Sequence, residues 1–189
     1  MPERSLKMLT MPRLIPAIYN KRFAFMGQMC SGKTFCANQL VINYGFYKIG
    51  FADKLKSLVY DLYGVDGKDG DGRRILQELS DDLKKYDKDI IIKHLLYRAI
   101  NHENESIVVD DLRFKVEADI LRKNGFKIIK VTCNEALRQE RITRLYPTTP
   151  QEAQEHRSEQ EWQTIPADYS VVSDNISTIF DLPIILGLV

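Results

Sequence analysis

Apolar residues follow two alternating patterns along the chain, and each pattern predicts a different kind of element. Five short apolar runs have the length of buried strands, at residues 23–26, 46–49, 107–109, 127–131 and 169–172. Apolar residues that recur every three or four positions predict helices between them, around residues 55–62, 76–83 and 92–99. Strands that alternate with helices favour parallel pairing with right-handed crossovers. We therefore expect an α/β fold, a three-layer α/β/α sandwich around a five-stranded parallel sheet, with ligands at the carboxyl ends of the strands.

Local signals mark helix ends and one irregular segment. The run Thr149-Pro150-Gln151-Glu152 combines a capping threonine with an early proline and a glutamate, so a helix should begin there and reach Trp162. Gly125 should end a helix over residues 116–123. The glycine-rich residues 64–72 predict a mobile loop.

The composition describes an ordinary folded domain preceded by a short extension. The chain has 189 residues, 44% hydrophobic and 28% charged, and residues 1–20 carry three prolines without periodicity. We expect an irregular extension over residues 1–20 and one folded domain over residues 21–189. The formal net charge of +1 gives no footprint for nucleic acid, and no apolar run reaches the roughly 18 residues of a membrane span. Because no secretion signal is evident, we expect a cytoplasmic protein.

Residues 27–34 match the phosphate-binding pattern G-x-x-x-x-G-K-[ST], between a predicted strand and a predicted helix. The glycines let backbone amides turn towards phosphate oxygens, and the following helix directs its positive dipole end at the same anion. The residues expected to bind the phosphates of ATP are Gly27, Gln28, Met29, Cys30, Ser31, Gly32, Lys33 and Thr34. Lys33 should reach the β- and γ-phosphates, and the Thr34 hydroxyl should ligate Mg²⁺. A glycine turn with an exposed lysine is the plainer alternative.

Two aspartates follow the third apolar run and offer a carboxylate at the carboxyl end of that strand. Asp110 or Asp111 could contact a Mg²⁺-bound water or a substrate there. A helix N-cap is the alternative role for such an aspartate. Arg113 lies two residues beyond Asp111, so both face one cleft if the chain is still extended, and Glu117 then lies one turn into the next helix.

Three arginines form a cluster on a predicted helix after the fourth strand. Arg138, Arg141 and Arg144 are spaced by three and therefore occupy one side of that helix. Such a cluster suits a lid, over about residues 138–162, that closes over phosphates and neutralises charge in the transition state. The alternative is a solvated basic face, which neighbouring glutamates favour.

With these features together, the chain resembles the P-loop nucleoside monophosphate kinase superfamily, and within it the deoxynucleoside monophosphate kinases of bacteriophages. The resemblance covers about residues 22–182. It is carried by GQMCSGKT at 27–34, FADKLK at 51–56, RILQ at 74–77, DLRFKVE at 111–117 and ADYSVVSDN at 167–175. Ile75 and Lys115 depart from the leucine and proline usual in this family, and the identity of the acceptor stays open.

The resemblance implies an acceptor-binding region over about residues 51–104 and assigns particular site residues. The acceptor-side residues that it implies are Asp53, Lys54, Arg74, Gln77, Asp111, Arg113 and Glu117, and it implies Asn175 at the nucleobase of ATP. Catalytic roles are expected for Lys33, Asp111, Arg138, Arg141 and Arg144. Three assignments have alternatives, because Asp53 could simply cap the helix that follows, Gln77 could be a surface residue and Arg73 stands beside Arg74.

The resemblance implies transfer of the γ-phosphoryl group of MgATP to a deoxynucleoside monophosphate, with ATP and Mg²⁺ as cofactors. A monophosphate is largely dianionic at neutral pH, so Asp111 would orient it rather than deprotonate it. The rivals are a dephospho-coenzyme A kinase, whose hydroxyl acceptor requires a base, a phosphomevalonate kinase, and a non-catalytic nucleotide-binding module. Expected partners are small molecules, neither nucleic acid nor membrane. The oligomeric state, monomer or homodimer, is open.

Overall fold

The fold is built on a central parallel sheet. The computed structural model describes residues 21–65, 70–147 and 160–189 of the chain. The strands within them are β1 (Arg22–Met26), β2 (Tyr47–Ile49), β3 (Ile107–Leu112), β4 (Lys127–Thr132) and β5 (Tyr169–Val172). They pair in parallel in the order β2-β3-β1-β4-β5. The predicted five-stranded parallel sheet is confirmed, and β3 is longer than expected because Asp110 and Asp111 still belong to it.

Helices connect the strands and cover the sheet. They are α1 (Lys33–Tyr44), α2 (Asp53–Tyr63), α3 (Gly70–Tyr86), α4 (Ile90–Asn101), α5 (Lys115–Lys123), α6 (Glu135–Leu145), α7 (Ile176–Phe180) and α8 (Leu182–Ile185). A short 3-10 helix spans Glu161–Thr164. The helical spacing that predicted α2 and α4 is reflected in their burial, since Leu55, Val59 and Leu95 face the interior. As predicted, α5 ends just before Gly125, which has φ +80°.

Two apolar clusters hold the layers together. Met26, Ile49 and Leu95 belong to one cluster, and Phe25 and Leu40 belong to the other. Each fully buried side chain of this size contributes about 1.5–3 kcal/mol. Because Phe25 and Met26 are neighbours in β1 and enter different clusters, the alternation of this strand joins the two layers.

The strand order determines where a ligand can bind. β1 lies at the centre of the sheet, between β3 and β4. The chain leaves β1 towards the β2 edge and later returns to build β4 and β5 on the other side. At such a switch point the connections diverge and leave a crevice at the carboxyl ends of the strands. The loop of residues 27–34 follows β1 and therefore opens into this crevice.

Two expectations change in the structure. The predicted loop over residues 64–72 is wrong at its end, because residues 70–72 already belong to α3, which packs against α2. Tertiary packing there overrides the low helix propensity of glycine. The expected helix from Thr149 falls mostly outside the described residues, and Trp162 lies in the 3-10 helix. Among the residues that the structure describes, none of the helices combines the length and the apolar character needed to cross a membrane.

Candidate active site

The loop between β1 and α1 is bent, and two of its glycines occupy positions closed to other residues. Gly27 has φ +148°, and a Cβ atom there would lie 2.2 Å from the carbonyl oxygen of Val131. Gly32 has φ +96°, and a Cβ atom there would lie 2.8 Å from Oγ of Ser173. Backbone of this kind favours glycine. Side chains at these two positions would force the loop into another shape.

Three features of the loop fit an anion such as the phosphates of ATP. Lys33 is buried and donates from Nζ to the carbonyl oxygens of Gly27 at 2.7 Å and Gln28 at 2.5 Å. The Ser31 hydroxyl is buried and has no hydrogen-bond partner within the described residues. Such an orphaned hydroxyl costs about 1–3 kcal/mol, which a ligand could relieve. Finally, α1 begins without a side-chain cap, and free amides at a helix N-terminus bind anions.

Two of the three predicted arginines hold the loop from the side of α6. Arg138 is buried and donates to both carboxylate oxygens of Glu135, at 2.7 and 2.9 Å, and to the carbonyl oxygen of Met29 at 3.5 Å. The hydrogen bonds from Arg138 lower the pKa of Glu135 to about 2. Arg141 donates to the carbonyl oxygen of Cys30 at 3.3 Å. The arginines therefore lie at the loop, and some of their donors bind its backbone.

Ser173 is a further site residue, which sequence reasoning missed. It follows β5, is fully buried, and donates from Oγ to the carbonyl oxygen of Ser31 at 2.6 Å. It also accepts from Arg141, at Oγ over 3.1 Å and at its carbonyl oxygen over 2.7 Å. Ser173 thus links the loop to β5 and α6. Its sequence signal is weak, a small polar residue directly after an apolar strand.

Residues of the loop line a cleft of about 1180 Å³. Residues of α6 and of the segment after β5 line it beside the loop, and residues of α2, α3 and α5 line it elsewhere. The predicted site residues that line this cleft are Met29, Cys30, Gly32, Lys33, Thr34, Gln77, Asp111, Arg113, Glu117, Arg141, Arg144 and Asn175. The structure therefore brings residues of the predicted phosphate side and of the predicted acceptor side to one cavity.

Three predicted acceptor-side residues do not line this cleft. Asp53 accepts hydrogen bonds from a backbone amide and from Arg98, both at 2.8 Å, so its carboxylate supports the turn before α2. Lys54 is exposed beside it. Arg74 is exposed and pairs with Glu78 at 3.0 Å. The roles that the family resemblance implies for these three residues stay predictions.

Close neighbours of these residues do line the cleft. The loop of residues 27–34 is the predicted phosphate-binding loop. Nη1 of Arg73 lies 3.8 Å from Sδ of Met29 in this loop. Lys56 also lines the cleft, and its positive charge acts on Asp111. Successive helical residues point about 100° apart, so a motif gives the right helix without fixing which residue faces inward.

Asp111 is oriented by the backbone of the connection between β2 and α2. Its carboxylate accepts from the amides of Phe51 at 2.9 Å and Ala52 at 3.0 Å. Burial, reinforced by the charge of Asp110, raises the pKa of Asp111. Gly50 makes this contact possible, because a Cβ atom there would lie 2.9 Å from a carboxylate oxygen of Asp111. The carboxylate is held in place by donors, as a group that orients a substrate should be.

Glu117 supports the backbone from which Arg113 reaches the cleft. Its buried carboxylate accepts from the amides of Arg113 and Phe114, both at 3.1 Å. Burial raises the pKa of Glu117 to about 7. The carboxyl group therefore titrates near neutral pH, in the wall of the cleft.

The predicted metal ligand and the predicted nucleobase contact both lie at the cleft. Thr34 is exposed in the first turn of α1, and Asp110 lines the same cavity. In the described part of the chain, no group of three or more acidic, histidine or cysteine side chains could hold a metal ion. A hydroxyl and a carboxylate suit Mg²⁺ that is bound mainly by nucleotide phosphates and water. Asn175 accepts the amide of Thr178 at 3.0 Å with its side-chain oxygen, so it also caps α7.

Comparison with known proteins gives one sequence relative and several similar structures. No protein-family model matches the chain. It is 29% identical over 136 residues to the "Putative deoxynucleotide monophosphate kinase" of Acanthamoeba polyphaga mimivirus, over 56% of this chain and 70% of that protein. The structure of TT1252 from Thermus thermophilus is similar with a TM-score of 0.58 at 13% identity, over 88% of this chain and 95% of that one. Shikimate kinase from Bacteroides thetaiotaomicron is similar with a TM-score of 0.55 at 13% identity, over 88% and 98%.

The sheet, the loop and these similarities define the class of protein. The chain has the P-loop kinase fold, and the predicted three-layer architecture is confirmed. Within that class, the resemblance of its motifs to the P-loop nucleoside monophosphate kinase superfamily is confirmed by the mimivirus relative.

We predict that Glu117 makes the folded chain less stable as the pH rises. Its folded pKa of about 7 lies above the ordinary value of 4.5, so the folded state binds the proton more tightly than the unfolded state. Its stabilising effect is complete below pH 4.5 and is lost as the pH rises through 7. The loss amounts to about 3 kcal/mol of unfolding free energy. Denaturant unfolding of the wild type and Glu117→Gln from acid to mildly basic pH measures it. A difference between them that stays constant with pH would contradict the prediction.

Exchange of Ser173→Ala should weaken the support of the phosphate-binding loop. The change removes the donor to the Ser31 carbonyl and one acceptor of Arg141. Because these groups are largely buried, the free energy of unfolding should fall by about 1–3 kcal/mol, and ATP affinity measured by calorimetry should fall with it. Ser170→Ala, at an exposed position of β5, is the matched control. If Ser173→Ala and Ser170→Ala change the free energy of unfolding and the ATP affinity equally, Ser173 does not support the loop.

Proposed function

We propose that the protein transfers the γ-phosphoryl group of MgATP to a deoxynucleoside monophosphate, giving ADP and the deoxynucleoside diphosphate. One observation carries the proposal: a single cleft presents cationic side chains both at the phosphate-binding loop and on the acceptor side. Lys33 lies at the loop, and Arg73 and Arg113 line the same cavity from α3 and from the end of β3. A triphosphate and a phosphorylated acceptor together suit this distribution of charge.

The sequence relative supports a deoxynucleotide as the acceptor. Its name specifies a deoxynucleotide monophosphate kinase, and the match covers more than half of this chain. The order of motifs at residues 51–56, 74–77 and 111–117 supports the same acceptor class. A module that only binds a nucleotide has no need of cationic residues on a second side of its cleft.

The chemistry requires positioning and charge compensation. An oxygen of the acceptor phosphate bonds to the γ-phosphorus while the bond from that phosphorus to the β,γ-bridging oxygen breaks, and ADP leaves. The acceptor needs no strong base, because the second pKa of a phosphate monoester is about 6. Asp111, fixed by the amides of Phe51 and Ala52, would therefore orient the acceptor. Lys33 would offset charge on the transferred group.

The metal and the arginines would complete the charge balance. Thr34 and Asp110 would hold Mg²⁺ together with phosphate oxygens, and the ion supplies charge neutralisation when bound. Arg141 and Arg144 line the cleft beside the loop. Residues 148–159 of the predicted lid, which spans about residues 138–162, lie outside the described residues. A lid there would exclude water, which otherwise competes for the phosphoryl group.

We predict that ADP formation depends on a deoxynucleoside monophosphate. Purified protein with MgATP should form ADP rapidly when one of these acceptors is present and slowly without an acceptor. The acceptor panel contains deoxynucleoside and ribonucleoside monophosphates, dephospho-coenzyme A and phosphomevalonate. Lys33→Ala should lower the acceptor-dependent rate about 100-fold or more, because a group that stabilises the transition state is lost.

The same panel separates the rival functions. Activity with dephospho-coenzyme A or phosphomevalonate alone would replace the proposed acceptor. ATP binding without turnover on any acceptor would indicate a nucleotide-binding module.

A second prediction concerns which of two adjacent arginines binds the acceptor. Arg73 lines the cleft, whereas Arg74 pairs with Glu78 at the surface. Arg73→Ala should raise the KM for the acceptor at least about tenfold, since a hydrogen bond to a charged group contributes about 1.5–3 kcal/mol. The KM for ATP should change little. Arg74→Ala is the matched comparison, and steady-state kinetics that show the larger effect there would restore the assignment implied by the family resemblance.

A further inference from the structure

A network of three side chains joins β2, β3 and α1, and two of its members have no role in the function proposed above. Lys48 on β2 donates from Nζ to Oδ1 of Asn38 on α1 at 3.0 Å and to Oδ2 of Asp110 on β3 at 3.3 Å. The side chain of Asp110 is 13% exposed and that of Lys48 is 35% exposed. The ion pair is therefore partly shielded from solvent, where charges interact more strongly than at an open surface.

The two-residue repeat of a β-strand and the four-residue spacing of an α-helix bring these residues together. Lys48 stands opposite Val108 in the pairing of β2 with β3, and Asp110 follows two residues further along β3. On α1, Asn38 follows Thr34 by four residues, so both lie on one side of the helix. Lys48 thus connects Asp110 to the side of α1 that carries Thr34.

We propose that Lys48 is a positioning residue for the metal: anchored by Asn38, it holds Asp110 in the orientation that meets Mg²⁺ at Thr34. This inference rests on the proposed use of MgATP. It assigns a role to two side chains, Lys48 and Asn38, that do not themselves line the cleft formed by the described residues.

The contacts explain how the effect would arise. Lys48 binds Oδ2 of Asp110, and Asp110 lines the cleft, so Oδ1 is the oxygen available to the metal or its water shell. Without the ammonium group, the carboxylate can rotate away from that direction. Removal of outer-shell groups that orient a metal ligand typically lowers metal affinity by about 10–100-fold.

The test measures how much Mg²⁺ improves ATP binding. Calorimetry of the full-length chain gives the dissociation constant of ATP with Mg²⁺ and with EDTA, and the ratio of the two is the metal-dependent improvement. Lys48→Met should reduce this ratio about tenfold and leave the affinity in EDTA unchanged. Lys48→Arg keeps the cation and should restore most of the ratio.

The matched control removes the same charge from another lysine–aspartate pair. Lys85 pairs with Asp82 at 2.7 Å on the exposed surface of α3, so Lys85→Met should keep the wild-type ratio. Two outcomes for Lys48→Met would overturn the inference: an increased ratio, or an unchanged ratio, which includes an equal loss of affinity with and without Mg²⁺. An increased ratio would make Lys48 a competitor of the metal.

A second variant covers the case in which Lys48→Met does not fold, as judged by thermal unfolding. Asn38→Ala releases Lys48 from α1 and should lower the ratio in the same direction, and an unchanged ratio would again overturn the inference. Failure of the wild type to bind ATP at all would overturn the proposed function together with this inference. If the wild type binds MgATP and transfers phosphoryl groups while Lys48→Met keeps the wild-type ratio, only this inference is overturned.

Discussion

The close fit of the phosphate-binding loop against the ends of β4 and β5 is the constraint on which the site depends. Gly27 lies against the Val131 carbonyl and Gly32 lies against Ser173, with no space for a side chain at either position. The sheet therefore sets the shape of the loop before any ligand binds. Because the loop is already bent, Lys33 and the N-terminus of α1 are placed at the cleft without a further cost of ordering. The orphaned hydroxyl of Ser31 is a local cost of this arrangement.

Strand β3 ends in two adjacent carboxylates that contact different elements. Asp110 contacts Lys48 on the side of α1, whereas Asp111 contacts the amides that precede α2. In the pairing of β3 with β1, Ala24 stands opposite Val109 and Met26 stands opposite Leu112. Between these pairs β3 has two residues, Asp110 and Asp111, where β1 has one. An irregularity of this kind redirects side chains at the end of a strand. In the proposed reaction, the two adjacent carboxylates would thereby serve the metal and the acceptor separately.

How much of the fold and the site can be predicted from the sequence depends on how far apart along the chain the contacting residues are. The loop of residues 27–34 was predictable because strand, glycines, lysine and helix are adjacent in the chain, and the sheet followed from the alternation of apolar runs. Ser173 was not predictable, because its partner Ser31 is 142 residues away. Whether Arg73 or Arg74 faces the cleft depends on the rotation of α3 about its axis, and tertiary packing sets that rotation. A family motif locates the helix and leaves the inward residue open.

Trp162 gives the molecule a built-in optical probe. It is the one tryptophan in the chain, it is buried, and the ammonium group of Lys130 on β4 lies 5.1 Å from its ring centre. Its neighbour Glu161 accepts the amide of Lys115 at the start of α5, at 3.0 Å. Indole emission responds to polarity and to a nearby cation. Any rearrangement of this junction relative to the sheet will therefore alter the fluorescence of the unlabelled protein.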